Sequence, residues 1–320
     1  MKMKKQISYA LKVIAASTLL VSTFASTVSV AADYPNRPVK FIVPWPPGDL
    51  EDVLTRVIAE EMSKETGVPA TVVNKPGGGG VLGATTVAQS RPDGSVIGSF
   101  VVDLVTSQVV GGNAPYAADA FVPVGIFLDY PFVLAVKSDA PYNSLTELAE
   151  YAKTHDVSLG HFGYEATPTA ITFQAAKKLG FKFASDSAFD ALDCSVLANG
   201  DADVINTTTQ QILPCLDSKD VKVLSSFTFK RLSILPQVPT LNEETGISQT
   251  LWNGLFVKKG TPQPIIDKIA AIAETALQSP DVLKLQENTG AGVYWTNDKD
   301  AQKLISLDFE NAKKLVSEIK

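Results

Sequence analysis

Residues 70–89 read ATVVNKPGGGGVLGATTVAQ. The β-branched run at 70–74 suits a short strand, and 83–89 carries apolar residues at helical spacing. Between them the glycine run supplies a turn that needs positive φ values. Beyond the helix, Pro92-Asp93-Gly94 marks a turn and SVIGSFVV (95–102) a further strand. Strand, helix and strand in that order predict an α/β unit.

The same alternation extends in both directions. Upstream, VKFIVPW (39–45) predicts a strand and 52–66 a helix, with Asp49 or Glu51 favourable at its first turn. Downstream, FVLAVK (132–137) reads as a strand, and SLTELAEYAK (144–153) as a helix opened by a capping box of Ser144 and Glu147. VSLGHFG (157–163) leads into a helix at 169–179 that Gly180 ends. ADVIN (202–206) and VKVLSSF (221–227) are later strands. LWNGLFVKKG (251–260) precedes a long helix at 264–278, introduced by Thr261-Pro262. Largely parallel sheets are expected. There is no solenoid repeat, low-complexity tract or long flexible linker. That suits two α/β lobes joined by extended strands, with FVLAVK crossing over and LWNGLFVKK returning. The division expected is residues 33–135 plus 251–320 in lobe one and 136–250 in lobe two.

The chain has 320 residues, 45% hydrophobic and 19% charged, with a net charge of -6. That is enough for more than one core and too apolar for disorder. Without basic runs interleaved with aromatics, nucleic acid is not an expected partner. Residues 1–32 have the three zones of a secretory signal peptide: Lys2, Lys4, Lys5 and Lys12, an apolar stretch from Val13 to Phe24, and Val30-Ala31-Ala32 at the cleavage point. Ser17, Thr18, Ser22 and Thr23 interrupt the apolar stretch, which makes it a poor membrane span. Export places the mature chain in the periplasm. Cys194 and Cys215 are the only cysteines. They would be ordinary thiols in a reducing compartment, whereas an even count after export favours a disulfide.

Gly78, Gly80 and Gly83 satisfy G-x-G-x-x-G, with Asp103 about twenty residues on, as in dinucleotide sites. Asn74-Lys75-Pro76 separates strand from glycines, however, and the unit is second in the chain. The reading preferred is a turn whose N–H groups face an anion such as a carboxylate. VPWPPGDLED (43–52) makes a second loop of this type, stiffened by Pro46-Pro47. Catalytic sets are scarce. The only histidines are His155 and His161, there is no G-x-S-x-G elbow, and no spacing resembles a metal site. A Glu165–Asp190 carboxylate pair is the sole further candidate. No cofactor is implied.

The order YPNRPVKFIVPWPPG, VVNKPGGGGVLGATTVAQSRPDG, LANGDADVIN, LPQVPTLNEETG and LWNGLFVKKGTPQPIIDKIAAIAETAL covers nearly the whole mature chain. In it the chain resembles the periplasmic solute receptors of tripartite tricarboxylate transporters, the Bordetella uptake gene family. The resemblance implies a type II periplasmic-binding fold closing on a small organic solute. It also implies integral-membrane transporter subunits as partners, and a carboxylate held by loop backbone and helix N-termini. Capture needs one chain only, so a monomer is expected. Carried over, the first pocket loop holds Trp45, Pro47, Gly48, Asp49 and Leu50. The second holds Gly78, Gly79, Gly80, Val81 and Leu82, with Asp103 beyond it. Lobe two supplies His161, Phe162, Tyr164, Glu165, Ala166 and Thr167, then Ser187, Phe189, Asn206 and Thr207.

Two residues depart from the family pattern. Asp49 stands where the family usually has glycine, and Glu165 where it has a small residue. Either acid would repel a ligand carboxylate by about 4 kcal/mol at 4 Å and an effective dielectric of 20. An amino group or several hydroxyls on the ligand are therefore expected besides any carboxylate. A binding protein serving a two-component sensor is the alternative function, and an exported hydrolase using His161 comes third.

Overall fold

The computed structural model describes residues 34–247, 249 and 251–319, with side chains up to residue 313. The expected signal peptide lies outside the described residues. In chain order the first half comprises β1 (Val39–Val43), α1 (Leu50–Thr66), β2 (Ala70–Asn74), α2 (Val81–Ala88), β3 (Val96–Val101), α3 (Val102–Val105), α4 (Ser107–Val110) and β4 (Phe121–Asp129). There follow β5 (Phe132–Lys137), α5 (Leu145–Tyr151), β6 (Ser158–His161), α6 (Thr167–Lys178), β7 (Ser185–Ala188), α7 (Cys194–Asn199), β8 (Val204–Thr208), α8 (Thr209–Asp217) and β9 (Val221–Ser226). The chain closes with α9 (Leu241–Thr245), β10 (Trp252–Lys258), α10 (Gln263–Leu277), α11 (Pro280–Thr289), β11 (Gly292–Asn297) and α12 (Asp298–Ile319).

The strands form two sheets, ordered β11-β4-β10-β3-β1-β2 and β7-β6-β8-β5-β9. Both are mixed rather than largely parallel. β1 pairs in parallel with β2 and β3, and β6 with β7 and β8. β10 is antiparallel to β3 and β4, and β5 to β8 and β9. The reason is the connection itself, since a chain that leaves one sheet and later returns enters it from the opposite end. β5 pairs in the second sheet from Phe132 onward. The outward crossing therefore falls at Tyr130–Pro131, before the expected boundary at 135. The return runs into β10, and Tyr130 N–H donates to Leu251 O across 2.8 Å, so the two connections are bonded to each other.

β4 escaped the sequence reading because Pro123 and Gly125 interrupt its apolar run. One of the two register shifts between β10 and β4 falls between Leu255 and Phe256, the residue paired with Pro123. Irregular pairing is where a central strand tolerates proline.

Each sheet is covered on both faces. In lobe one, Phe41 and Val39 meet Leu54, Ile58 and Met62 of α1 and Ile265 and Ile269 of α10. On the other face Ile42, Phe100 and Phe256 meet Ala84 and Val87 of α2 and Ala301 of α12. Leu50, Leu54, Ile58 and Met62 recur every fourth position and are all fully buried, which is the stripe a core helix needs.

Helix starts precede expectation where a cap or proline defines them. Asp49 caps α1, so that helix begins at Leu50. Pro168 sits in the first turn of α6, where its missing N–H costs nothing, so α6 begins at Thr167. The α5 box is displaced by one residue. Ser144 accepts from Glu147 N, but the Glu147 carboxylate accepts from Asn143 N at 2.7 Å rather than from Ser144.

Candidate functional site

The loop after β1 is held from several sides. Gly48 turns it with φ 113°, and Asp49 accepts from Leu50 N at 2.8 Å, which satisfies one of the helix's orphan donors. Buried Asp52 accepts from Gly48 N at 3.0 Å and from Arg56 at 2.8 and 2.9 Å. Asn74, at the end of β2, donates to Asp52 at 2.8 Å and to Trp45 O at 3.0 Å. The glycine run supports this loop from behind. A Cβ on Gly80 would come within 3.3 Å of the Trp45 ring, and one on Gly83 within 2.7 Å of Pro44.

From this loop the chain reaches across to lobe two. Asp49 accepts from Thr208 Oγ1 and Gln211 Nε2, each at 2.8 Å, at the N-terminus of α8. Asp103, just past β3, accepts from Thr167 N at 3.0 Å and from the Thr167 hydroxyl, at the N-terminus of α6. Ser107 donates to Glu165 O at 2.8 Å. Two lobe-one carboxylates thus engage the starts of two lobe-two helices, where orphan donors and the helix dipole favour negative charge.

Between these contacts lies a cavity of about 260 Å³. Trp45, Phe162, Phe132 and Tyr130 line it in sequence, ring against ring, with centroids 6.3, 5.9 and 5.3 Å apart. Trp252 and Leu251 line it from the return connection. Asp49, Glu51 and Asp103 contribute from lobe one, and Asp190, Asp193, Gln210 and Gln211 from lobe two. The Cys194–Cys215 disulfide is formed and joins the start of α7 to α8, beside those last four residues.

A tripartite tricarboxylate transporter family receptor model matches residues 54–320. The chain belongs to that family. Protein BugT of Bordetella pertussis is 28% identical over 296 residues, 88% of this chain and 89% of BugT. Among solved structures, the periplasmic binding protein BugD superposes with a TM-score of 0.81 at 29% identity, covering 89% of this chain and 98% of that one. MatC from Rhodopseudomonas palustris with bound malate gives 0.80 at 27% identity, covering 88% and 100%. The fold of this receptor is thus that of the periplasmic binding proteins, as the resemblance implied.

Of the residues singled out by sequence, Trp45, Pro47, Gly48, Asp49, Asp103, Phe162 and Ala166 line the receptor's cavity. Others fall elsewhere. Leu50 is buried in the core, while Gly78, Gly79, Gly80, Val81 and Leu82 lie behind the first loop, with Leu82 59% exposed. His161 is buried, its Nε2 3.0 Å from Asp186 and its Nδ1 accepting from Gly163 N. Tyr164 donates to Asp186 at 2.5 Å and is 54% exposed. The Glu165 side chain is exposed and not part of the wall; its carbonyl alone meets lobe one. Thr167 is taken up by Asp103. Ser187 and Phe189 lie outside the wall, while Asn206 and Thr207 are buried, Asn206 donating to Pro168 O and Thr207 to Leu192 O.

The receptor's wall also uses residues that sequence reasoning passed over. Glu51 was read only as a helix-start acid, yet its Oε2 accepts from Tyr130 OH at 2.9 Å beside the cavity. Spacing from Asp49 placed it on the same helix start; its partner on a distant strand end had no sequence signal. Burial dominates the electrostatics here. It raises Asp49 above the usual carboxylate range against hydrogen bonds from Gln211 and Thr208. It raises Glu51 further, helped by the neighbouring Asp49 charge, and Asp103 to about 6.

Proposed function

We propose that this chain is a periplasmic receptor that captures a small organic solute by closing its lobes and delivers it to the membrane subunits of a tripartite tricarboxylate-type transporter. The observation that carries the reading is the cavity between the two sheets, walled by both lobes and bridged by direct hydrogen bonds. A volume of about 260 Å³ suits a small metabolite. Among the described residues no helix is long and apolar enough to cross a membrane. The resemblance makes a carboxylate on the solute the starting expectation, with amino or hydroxyl groups to satisfy Asp49. The wall supports the second half of that expectation better than the first.

The test is to heat the purified mature chain with a metabolite library. A receptor gains thermal stability reversibly, because only the native state binds, and returns the metabolite unchanged. Turnover of the metabolite would overturn the reading. Pull-down of the two membrane subunits by the loaded receptor separates transport from sensing.

A further inference from the structure

The cavity is lined by five acids and by no base to offset them. Asp49, Glu51, Asp103, Asp190 and Asp193 line it, and none of its lining residues is Lys, Arg or His. Of the lobe-two helix starts, which the family resemblance would assign to a carboxylate, one already gives its Thr167 N–H to Asp103, and at the other the Thr208 and Gln211 side chains are taken by Asp49. The bonds to Asp103 from Thr167 fall on Oδ1, which leaves Oδ2 for a solute. Among the described residues no group of His, Cys, Asp or Glu is placed to hold a metal ion.

The aromatic wall points the same way. Trp45, Phe162, Phe132 and Tyr130 form a continuous belt around the cavity, and ring faces attract ammonium groups.

From these features we infer that the solute is a small organic cation: an amine or quaternary ammonium with no carboxylate. The inference rests on the receptor reading and names its substrate class. The ammonium sits among the rings and the Asp103 and Glu51 carboxyls.

Calorimetric titration of the mature chain at pH 7.5 tests it, with ethanolamine, choline and putrescine against malate, adipate and glycerol. At least one amine is expected to bind ten-fold or more tightly than malate, adipate or glycerol. Asp103→Asn should weaken that amine ten-fold or more, in a variant at least as heat-stable as the parent. The competition order in the parent protein stands even if the variant misfolds. A dicarboxylate or glycerol that outcompetes every amine overturns the cation and leaves the receptor standing, as does amine binding indifferent to Asp103→Asn. Silence from all six probes also overturns the cation. The receptor reading falls only if the whole metabolite library is silent as well.

Discussion

Lobe one meets the cavity with Asp49, Glu51 and Asp103, each fixed at the end of a strand or the start of a helix. Lobe two answers with Thr167 N–H, Thr208 Oγ1 and Gln211 Nε2, at the starts of two helices. At these carboxylates the acceptors stand on lobe one and the donors on lobe two, while Ser107 donates the other way, to Glu165 O. The lobes therefore complement each other before any solute arrives. The two halves are also secured differently. Lobe one relies on a six-stranded sheet packed on both faces, whereas lobe two has five strands, an exposed edge at β7, and a disulfide across its cavity wall.

The largest test of this contrast removes the disulfide. Cys194→Ser with Cys215→Ser should cost about 3 kcal/mol in urea unfolding, from the chain entropy of a loop of that size. Hydrogen exchange should rise in α7 and α8 and stay low in α1 and α10; equal loss in both lobes would break the comparison. Acidification comes next. Asp103 has its folded value raised to about 6, so the native state takes up this proton before the unfolded chain does. Stability of the solute-free protein should then rise as pH falls from 7 toward 4, by on the order of 2–3 kcal/mol. Buried Glu51 and Asp49, raised as well, act in the same direction. Below that window the trend reverses, as surface acids held low by hydrogen bonds and cations, such as Asp93 and Glu243, are protonated. Calorimetric melting across pH 4 to 8 reads the curve, and a monotonic fall from pH 7 contradicts it.

Tyr130→Phe is expected to cost about 1–2 kcal/mol by leaving the buried Glu51 carboxyl without its donor, read by thermal unfolding. The smallest effect on folding comes from Asp49→Gly, a few tenths of a kcal/mol, because glycine is a tolerable N-cap. That variant loses the bonds to Thr208 and Gln211, so its solute-free form should be more open in solution scattering. An unchanged scattering profile would show that Asp49 does not hold the lobes together.

Much of this was legible in the sequence because it is local. Strand and helix periods along 39–102 announced the α/β units, and the loop around Asp49 announced itself by its prolines and glycine. Cys194 and Cys215 were read as a disulfide from export and even count. The glycine run was harder, since its role depends on what packs against it. Its backbone clears room for Trp45 and Pro44, a contact between units that spacing does not encode. Glu165 failed for a related reason: a single rotation at a loop decides whether a side chain faces cavity or solvent. Tyr130, Phe132, Gln210 and Trp252 line the cavity only because the two connections cross where they do, and that follows from β4, the strand that proline disguised.

One feature of the sheet order also bears on how the chain is made. β10 lies between β4 and β3, so nothing joins β4 to β3-β1-β2 until residues 252–258 have been delivered, and β11, the other neighbour of β4, comes later still. Lobe two is continuous from β5 to α9 and needs no such late arrival. A chain emerging N-terminus first therefore completes its second lobe before its first, and carries unpaired edges at β3 and β4 meanwhile. Those edges are the segments most open to mispairing while the chain folds, and the ones a holding chaperone would have to cover.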